Sequence, residues 1–177
     1  MNELQYSKMF EIYDTHKTAI SELVFLRIIQ VWYEFINQLV EHLVKERLAG
    51  CKNYPKIQIL MSKITSKDEI PKIIEKFDRT SNIKKLTEIE NYLERKIDEE
   101  YRERIKLAIT VRNLLEHNQG VIRESDLKLV ASTSIKLINQ SCQEQDFLIG
   151  EKVEITIYEV FRLKQAFYHA SKQLIPN

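Results

Sequence analysis

The stretch "SELVFLRIIQVWYEFINQLVEHLV", residues 21–44, decides the fold. Ile20, Val24, Ile28, Val31, Phe35, Leu39 and Leu43 recur at a spacing near 3.6, which is the period of a helix. A second row, Phe25, Ile29, Trp32, Ile36, Val40 and Val44, runs beside the first. Two rows predict a helix that is apolar around most of its girth and packs on several sides. From Thr18 to Leu48 that helix would be about 45 Å long, with Gly50 as its stop. Residues 2–14 either extend it or form a short helix of their own.

Working outward, three glycines and three prolines leave the chain few breaks, and the apolar spacing stays mostly helical. The segment "NYPKIQILMSKITSKDEIPKIIEKFDRTSN" predicts short helices near 56–64 and 70–78. Asn82 is placed to cap the next helix, with Ile83, Leu86, Ile89, Leu93 and Ile97 as its buried face. From about Glu99 a further helix carries Tyr101, Ile105, Ala108 and Leu115, and Gly120 supplies the left-handed residue that ends it. "ESDLKLVASTSIKLIN" predicts a weaker helix, because its Ser-Thr-Ser run competes for backbone hydrogen bonds.

The period then changes. In "DFLIGEKVEIT", Phe147 and Ile149 precede Gly150-Glu151, and Val153 and Ile155 follow, which suits a hairpin with a Gly-first type II′ turn. Thr156 and Glu159 then have the spacing of a capping box. The last helix buries Val160, Leu163, Phe167, Ala170 and Leu174, with Pro176 just past its end. The expected fold is all-α, an antiparallel helix bundle with a small β-hairpin before the C-terminal helix, over a single domain, 1–177.

Totals narrow the function. With 27 basic and 26 acidic residues the net charge is +1, so no global field advertises nucleic acid or membrane. A local basic patch remains compatible with that total. Cys51 and Cys142 are far apart and read as reduced thiols. No signal peptide or transmembrane pattern is visible, so the expected location is cytoplasmic.

Several chemistries are missing from the sequence. Glycines at 50, 120 and 150 build neither GxxxxGK nor GxGxxG, and there is no CxxC, HExxH or ExxH. His42 and Glu46 have the spacing to share a metal, but a polar surface pair is the simpler reading. His16 and His169 lack companions at ligand spacing, and Cys51 has no nearby histidine to activate it. In "RKIDEEYRERIK", Arg95, Lys96, Arg102, Arg104 and Lys106 suggest an RNA-facing patch. Asp98 and Glu100 stand four residues before Arg102 and Arg104, so ion pairs on a solvated face explain them better.

One stretch keeps both a structural and a chemical reading: "VRNLLEHNQG", residues 111–120. Arg112 and Glu116 are four apart and can pair, His117 lies where positive charge suits the helix dipole, and Asn118 and Gly120 are common terminators. Asn113 and His117 also share a face, and the long Arg112 side chain can curl toward them. An imidazole, a cation and an amide around one space suffice to cleave RNA without metal or cofactor. A base takes the 2′-hydroxyl proton, an acid protonates the leaving 5′-oxygen, and a cation stabilises the charge building on phosphate. One histidine cannot be both base and acid in a step, whereas a two-fold dimer would bring two copies together. The apolar long helix could serve that interface or a core within one chain.

Here the chain resembles the HEPN-domain ribonucleases. Their RxxxxH signature reads Arg112, Asn113, Leu114, Leu115, Glu116, His117, and "HNQGVI" looks like the HNxG plus apolar pair that often follows it. "IGEKVEIT" before a terminal helix is similar to the tail of single-domain members. The resemblance implies a dimerising bundle with both motifs in one cleft and metal-independent endoribonuclease activity. His117 would be the general acid or base, Arg112 would stabilise the transition state, and Asn113 would orient the histidine or the phosphate. Such proteins act as toxins, phage-defence effectors or RNA-processing factors, some with an antitoxin or regulatory partner. A toxin branch paired with nucleotidyltransferase antitoxins carries tyrosine where this chain has Gln119, which argues against that branch. The rival expectation is a non-catalytic HEPN-fold module that binds RNA or protein.

Overall fold

The opening pattern and the residues before it form one helix, α1 (Glu3–Leu48), so the early segment is an extension. Its 46 residues span about 69 Å. Residues 3–48 and 70–175 are described in the computed structural model. Of the two apolar rows, the second is the core. Phe25, Ile29, Trp32, Ile36, Val40 and Val44 are at most 4% exposed, and Leu43 joins them. Val24 and Val31 are instead 39% and 49% exposed, while Ile20, Ile28, Phe35 and Leu39 are half-buried. Packing on several sides is therefore corrected to packing on one. The first row lies on the helix between the buried row and the charged flank of Arg27 and Glu34, so it forms a border. Gly50 and the helix expected near 56–64 lie outside the described residues.

The chain divides into two compact units, Met1–Ile29 with Arg104–Ala166, and Gln30–Glu103 with Phe167–Asn177. In the second unit, α2 (Ile70–Asp78) and α3 (Asn82–Leu93) follow the expected positions. Ser81, with extended backbone, is the N-cap of α3, and Asn82 is already helical, which corrects the assignment of the cap to Asn82. Leu86, Ile89 and Leu93 are buried with Ile97 just beyond, and Ile83 is half-buried. The helix stops at Glu94, which takes a left-handed conformation with no glycine to supply it. Trp32 stacks on Phe167 with ring centroids 4.7 Å apart.

Two buried charges in this unit have partners, as a low-dielectric surrounding requires. The Lys85 ammonium donates to Asn37 Oδ1 and Asp78 Oδ1, each at 3.3 Å. The Glu90 carboxylate, 1% exposed, accepts from the Ile97 amide at 3.0 Å and from Arg102 Nε at 3.2 Å. Arg102 opens α4 (Glu99–Asn118), whose first turn holds Glu99 and Glu100 at the positive end of the helix dipole. Helix α4 and α1 contribute residues to both units.

In the first unit the expected weak helix splits in two. Only α5 (Glu124–Leu129) is helical, and β1 (Ile135–Ile138) follows. Ile135 and Leu137 are buried while Lys136 is exposed, a period of two that the shorter helical pattern masked. β1 pairs antiparallel with β2 (Glu144–Phe147), with Ile135 opposite Phe147 and Ile138 opposite Glu144. The turn belongs to Asn139. Its Oδ1 accepts from the amides of Ser141 at 2.9 Å and Gln143 at 3.0 Å, and Cys142 adopts positive φ. The hairpin thus precedes the last helix as expected, but it turns at 139–143, a correction to the turn read at Gly150-Glu151.

Helix α6 (Ile157–Leu174) also contributes to both units, and Val160, Leu163, Phe167, Ala170 and Leu174 are all buried. Thr156 caps it, accepting from the Glu159 amide at 3.2 Å. The Glu159 side chain does not return the bond to Thr156, as a full capping box would. It accepts instead from the Ile138 amide at 2.9 Å and pairs with Arg162. Among the described residues no helix is long and apolar enough to cross a membrane.

Glu90 sets the first prediction. Glu90→Ala leaves the Arg102 guanidinium facing a buried void and should cost about 3 kcal/mol in urea unfolding, as removal of one member of a buried pair does. A loss below about 1 kcal/mol would mean that the pair contributes little beyond its own desolvation.

Candidate functional site

Helix α4 carries Arg112, Asn113 and His117, all within the first unit. Val111 and Leu114 are fully buried and hold the helix down by its apolar side. That fixes the rotation of the helix and turns Arg112, Asn113, Glu116 and His117 away from the core. Arg112 Nη1 donates to Asn113 Oδ1 at 3.1 Å, and Nη2 pairs with Glu116 Oε2 at 2.5 Å. Arg112 and Glu116 are 26% and 33% exposed, so their pairing is only partly screened by water. His117 lies exposed in the last turn. The structure therefore brings Arg112 and Asn113 into direct contact, and His117 stands one turn on from Asn113.

The helix end beside His117 is built with unusual firmness. Gln119 and Gly120 are consecutive left-handed residues, with φ of 55° and 82°. The Gly120 amide reaches back six residues to the Leu114 carbonyl at 2.9 Å, one residue further than the bond that closes a Schellman ending. Gly120 was legible as the terminator and Gln119 was not, since a non-glycine residue in that region is uncommon. After Gly120 the chain pairs with a distant segment. Val121 bridges Lys152 in antiparallel fashion. The Ile122 amide donates to Glu151 O, the Gly150 amide to Ile122 O and the Val153 amide to Gly120 O, all at 3.0 Å. Gly150, with φ of 85°, sits third in the turn 148–151 closed by the Glu151 amide on Leu148 O.

Lys152 is the neighbour that sequence reasoning missed. A Cβ on Gly120 would lie 3.3 Å from Lys152 Cγ and 3.5 Å from both Lys152 Cε and Leu115 Cδ2. The lysine stem thus runs across the bare glycine. Nothing in the local sequence signals this contact, which depends on long-range backbone pairing.

The other candidate residues resolve differently. Arg95 Nη1 donates to the carbonyls of Gln173 and Ile175 at 3.3 and 3.0 Å, serving the end of α6. Arg102 pairs with Glu90, and Arg104 lies 3.6 Å from Glu144. These partners replace the expected pairs with Asp98 and Glu100, since side chains distant in sequence are brought closer than those one turn away. Arg95, Arg102 and Arg104 are thereby occupied with internal partners, while Lys96 stays exposed. His169 stacks on Tyr101 with ring centroids 4.9 Å apart, and His16 and His42 are exposed. Cys51 lies outside the described residues. Among the described residues no three His, Cys, Asp or Glu side chains gather as metal ligands would.

No family model, curated protein or solved structure matches the chain. The geometry of α4 and its ending therefore carries the functional argument alone.

Gly120→Ala should destabilise the protein by about 1–3 kcal/mol, because alanine resists the left-handed conformation and its methyl group crowds the Lys152 stem. Thermal or urea unfolding reads the change. An unaltered midpoint would show that the ending relaxes freely and that this contact does not hold it.

Proposed function

We propose that the chain is a metal-independent endoribonuclease of the HEPN type, acting in the cytoplasm as a homodimer. The observation that supports it best is the trio on the outward side of α4, with Arg112 held on Asn113 and His117 exposed one turn on. A scaffold helix needs no such trio, whereas 2′-hydroxyl attack needs an imidazole for the proton and a cation for the phosphate. In this reading His117 from each protomer enters one composite site, one copy as base and the other as acid. Arg112 stabilises the phosphorane-like charge, and Asn113 orients the histidine or the phosphate. No cofactor takes part. The biological setting proposed is a toxin or phage-defence effector, with an antitoxin or regulatory partner to restrain it.

A second reading has its own support. The 2.5 Å Arg112–Glu116 pair is the ordinary i to i+4 helix pair, and it engages the arginine locally. A non-catalytic HEPN-fold module that binds RNA or protein would use these residues to stabilise a helix end.

Two measurements separate the readings. Purified protein is incubated with labelled total RNA in excess EDTA, beside His117→Ala. The nuclease reading expects cleavage leaving 2′,3′-cyclic phosphate ends, lost at least 100-fold in the variant, whose circular dichroism is unchanged. RNA left intact by the unaltered protein, over a range of substrates and concentrations, favours the binding module. In the second experiment a constant amount of active protein is mixed and equilibrated with a growing excess of His117→Ala. A composite site loses activity as mixed dimers form, while activity indifferent to the excess would mean that each protomer works alone.

A further inference from the structure

Glu116 already neutralises much of the charge that Arg112 could offer a phosphate. The C-terminal end of α4 adds partial negative charge from its unsatisfied carbonyls. An RNA phosphodiester approaching His117 therefore meets a surface that the motif alone leaves electrostatically poor, and a further cation is needed close to the helix end.

Lys152 stands at that place. Its backbone is fixed by the bridge to Val121 and by the three hydrogen bonds that flank it. Its stem lies along Gly120, three residues after His117, with contacts of 3.3 and 3.5 Å to the position a Cβ would take. The adjacent Glu151 carboxylate is engaged by the Leu148 amide at 2.6 Å. Among the described residues the Lys152 ammonium has no carboxylate partner, and the residue is exposed. A cation whose stem is packed and whose head is open loses less freedom on binding than one on a fully mobile chain.

We infer that Lys152 is a substrate-binding residue that contacts an RNA backbone phosphate beside His117, an assignment that rests on the ribonuclease reading. It gives the bare Cβ position of Gly120 a second purpose besides helix termination. The absent methyl group leaves the track along which the lysine reaches the site. Lys152 supplies affinity and the transferred proton does not pass through it.

The test uses the full chain carrying His117→Ala, so that RNA is bound and not cut, with a fluorescein-labelled single-stranded RNA titrated at several KCl concentrations. Lys152→Met keeps the apolar stem on Gly120 and removes only the charge, and Lys152→Arg restores charge. Lys152→Met should weaken binding roughly tenfold and flatten the dependence of log affinity on log salt by about 0.7, one phosphate contact on a single strand. Lys152→Arg should recover most of both. With His117 intact, single-turnover cleavage by Lys152→Met should need more RNA for half-maximal rate at a nearly unchanged maximal rate.

Equal affinity and equal salt slope in Lys152→Met would overturn the assignment and leave the ribonuclease reading in place, with the lysine reduced to packing on Gly120. RNA neither bound by the His117→Ala protein nor cleaved by the unaltered one would overturn both. The two failures are distinguished by whether the parent protein handles RNA at all.

Discussion

The first unit turns on one buried carboxylate. Glu159, 3% exposed, accepts the Ile138 amide and meets the Arg162 guanidinium. Arg162 passes the connection on to the Lys136 carbonyl at 3.1 Å and to Glu144 at 2.8 Å. Thr156 adds a hydroxyl donated to the Ile138 carbonyl at 2.6 Å. Both strands of the hairpin are thus tied to the first two turns of α6 through charged and polar groups, and Arg104 on α4 joins them at Glu144. A two-stranded hairpin is marginal by itself in water. Here its buried amide and carbonyl are satisfied by the helix that follows it, so hairpin and helix start stabilise each other. The short segment between them is left to form the turn at Gly150 and the bridge to Val121, which closes the end of the motif helix.

That arrangement gives a fixed shape to the candidate site at a helix C-terminus, where backbone groups are ordinarily frayed. The ending of α4 is not secured by a local cap alone. It is paired through backbone hydrogen bonds with a strand-like segment from much later in the chain. His117 therefore projects from a terminus that holds its shape. The Arg112–Glu116 pair acts alongside this, limiting where the guanidinium can go while leaving it in contact with Asn113.

Much of the fold was legible because it rests on periodicity. The buried row from Phe25 to Val44, the limits of α4 and the inward face of α6 all follow from 3.6-residue spacing, which local sequence carries. A hairpin before α6 was legible, but its strands and its turn were both read too late in the chain, at 147–155 in place of 135–147. Gly150 is the louder signal, but Asn139 folds the chain with its own side-chain oxygen. Pairings that need distant partners, such as Glu90 with Arg102, Arg104 with Glu144, and Lys152 over Gly120, have no local signature. The same division holds at the site. Arg112, Asn113, Glu116 and His117 were legible as neighbours on one helix, and Lys152, which packs on Gly120 just past that helix, was not.

The scarcity of glycine leaves a thermodynamic mark. Glu94, Gln119, Ala131 and Cys142 all take positive φ, each at a cost of about 1 kcal/mol relative to a relaxed backbone. Three of them, Glu94, Gln119 and Ala131, end helices and Cys142 tips the hairpin, so the strain sits where chain direction changes and not in the helix interiors. Turns closed in this way persist because the packing on either side over-determines them. The chain therefore holds back a few kcal/mol of stability in its corners. That margin leaves room for sequence change at the turns without disturbing the helix that carries Arg112, Asn113 and His117.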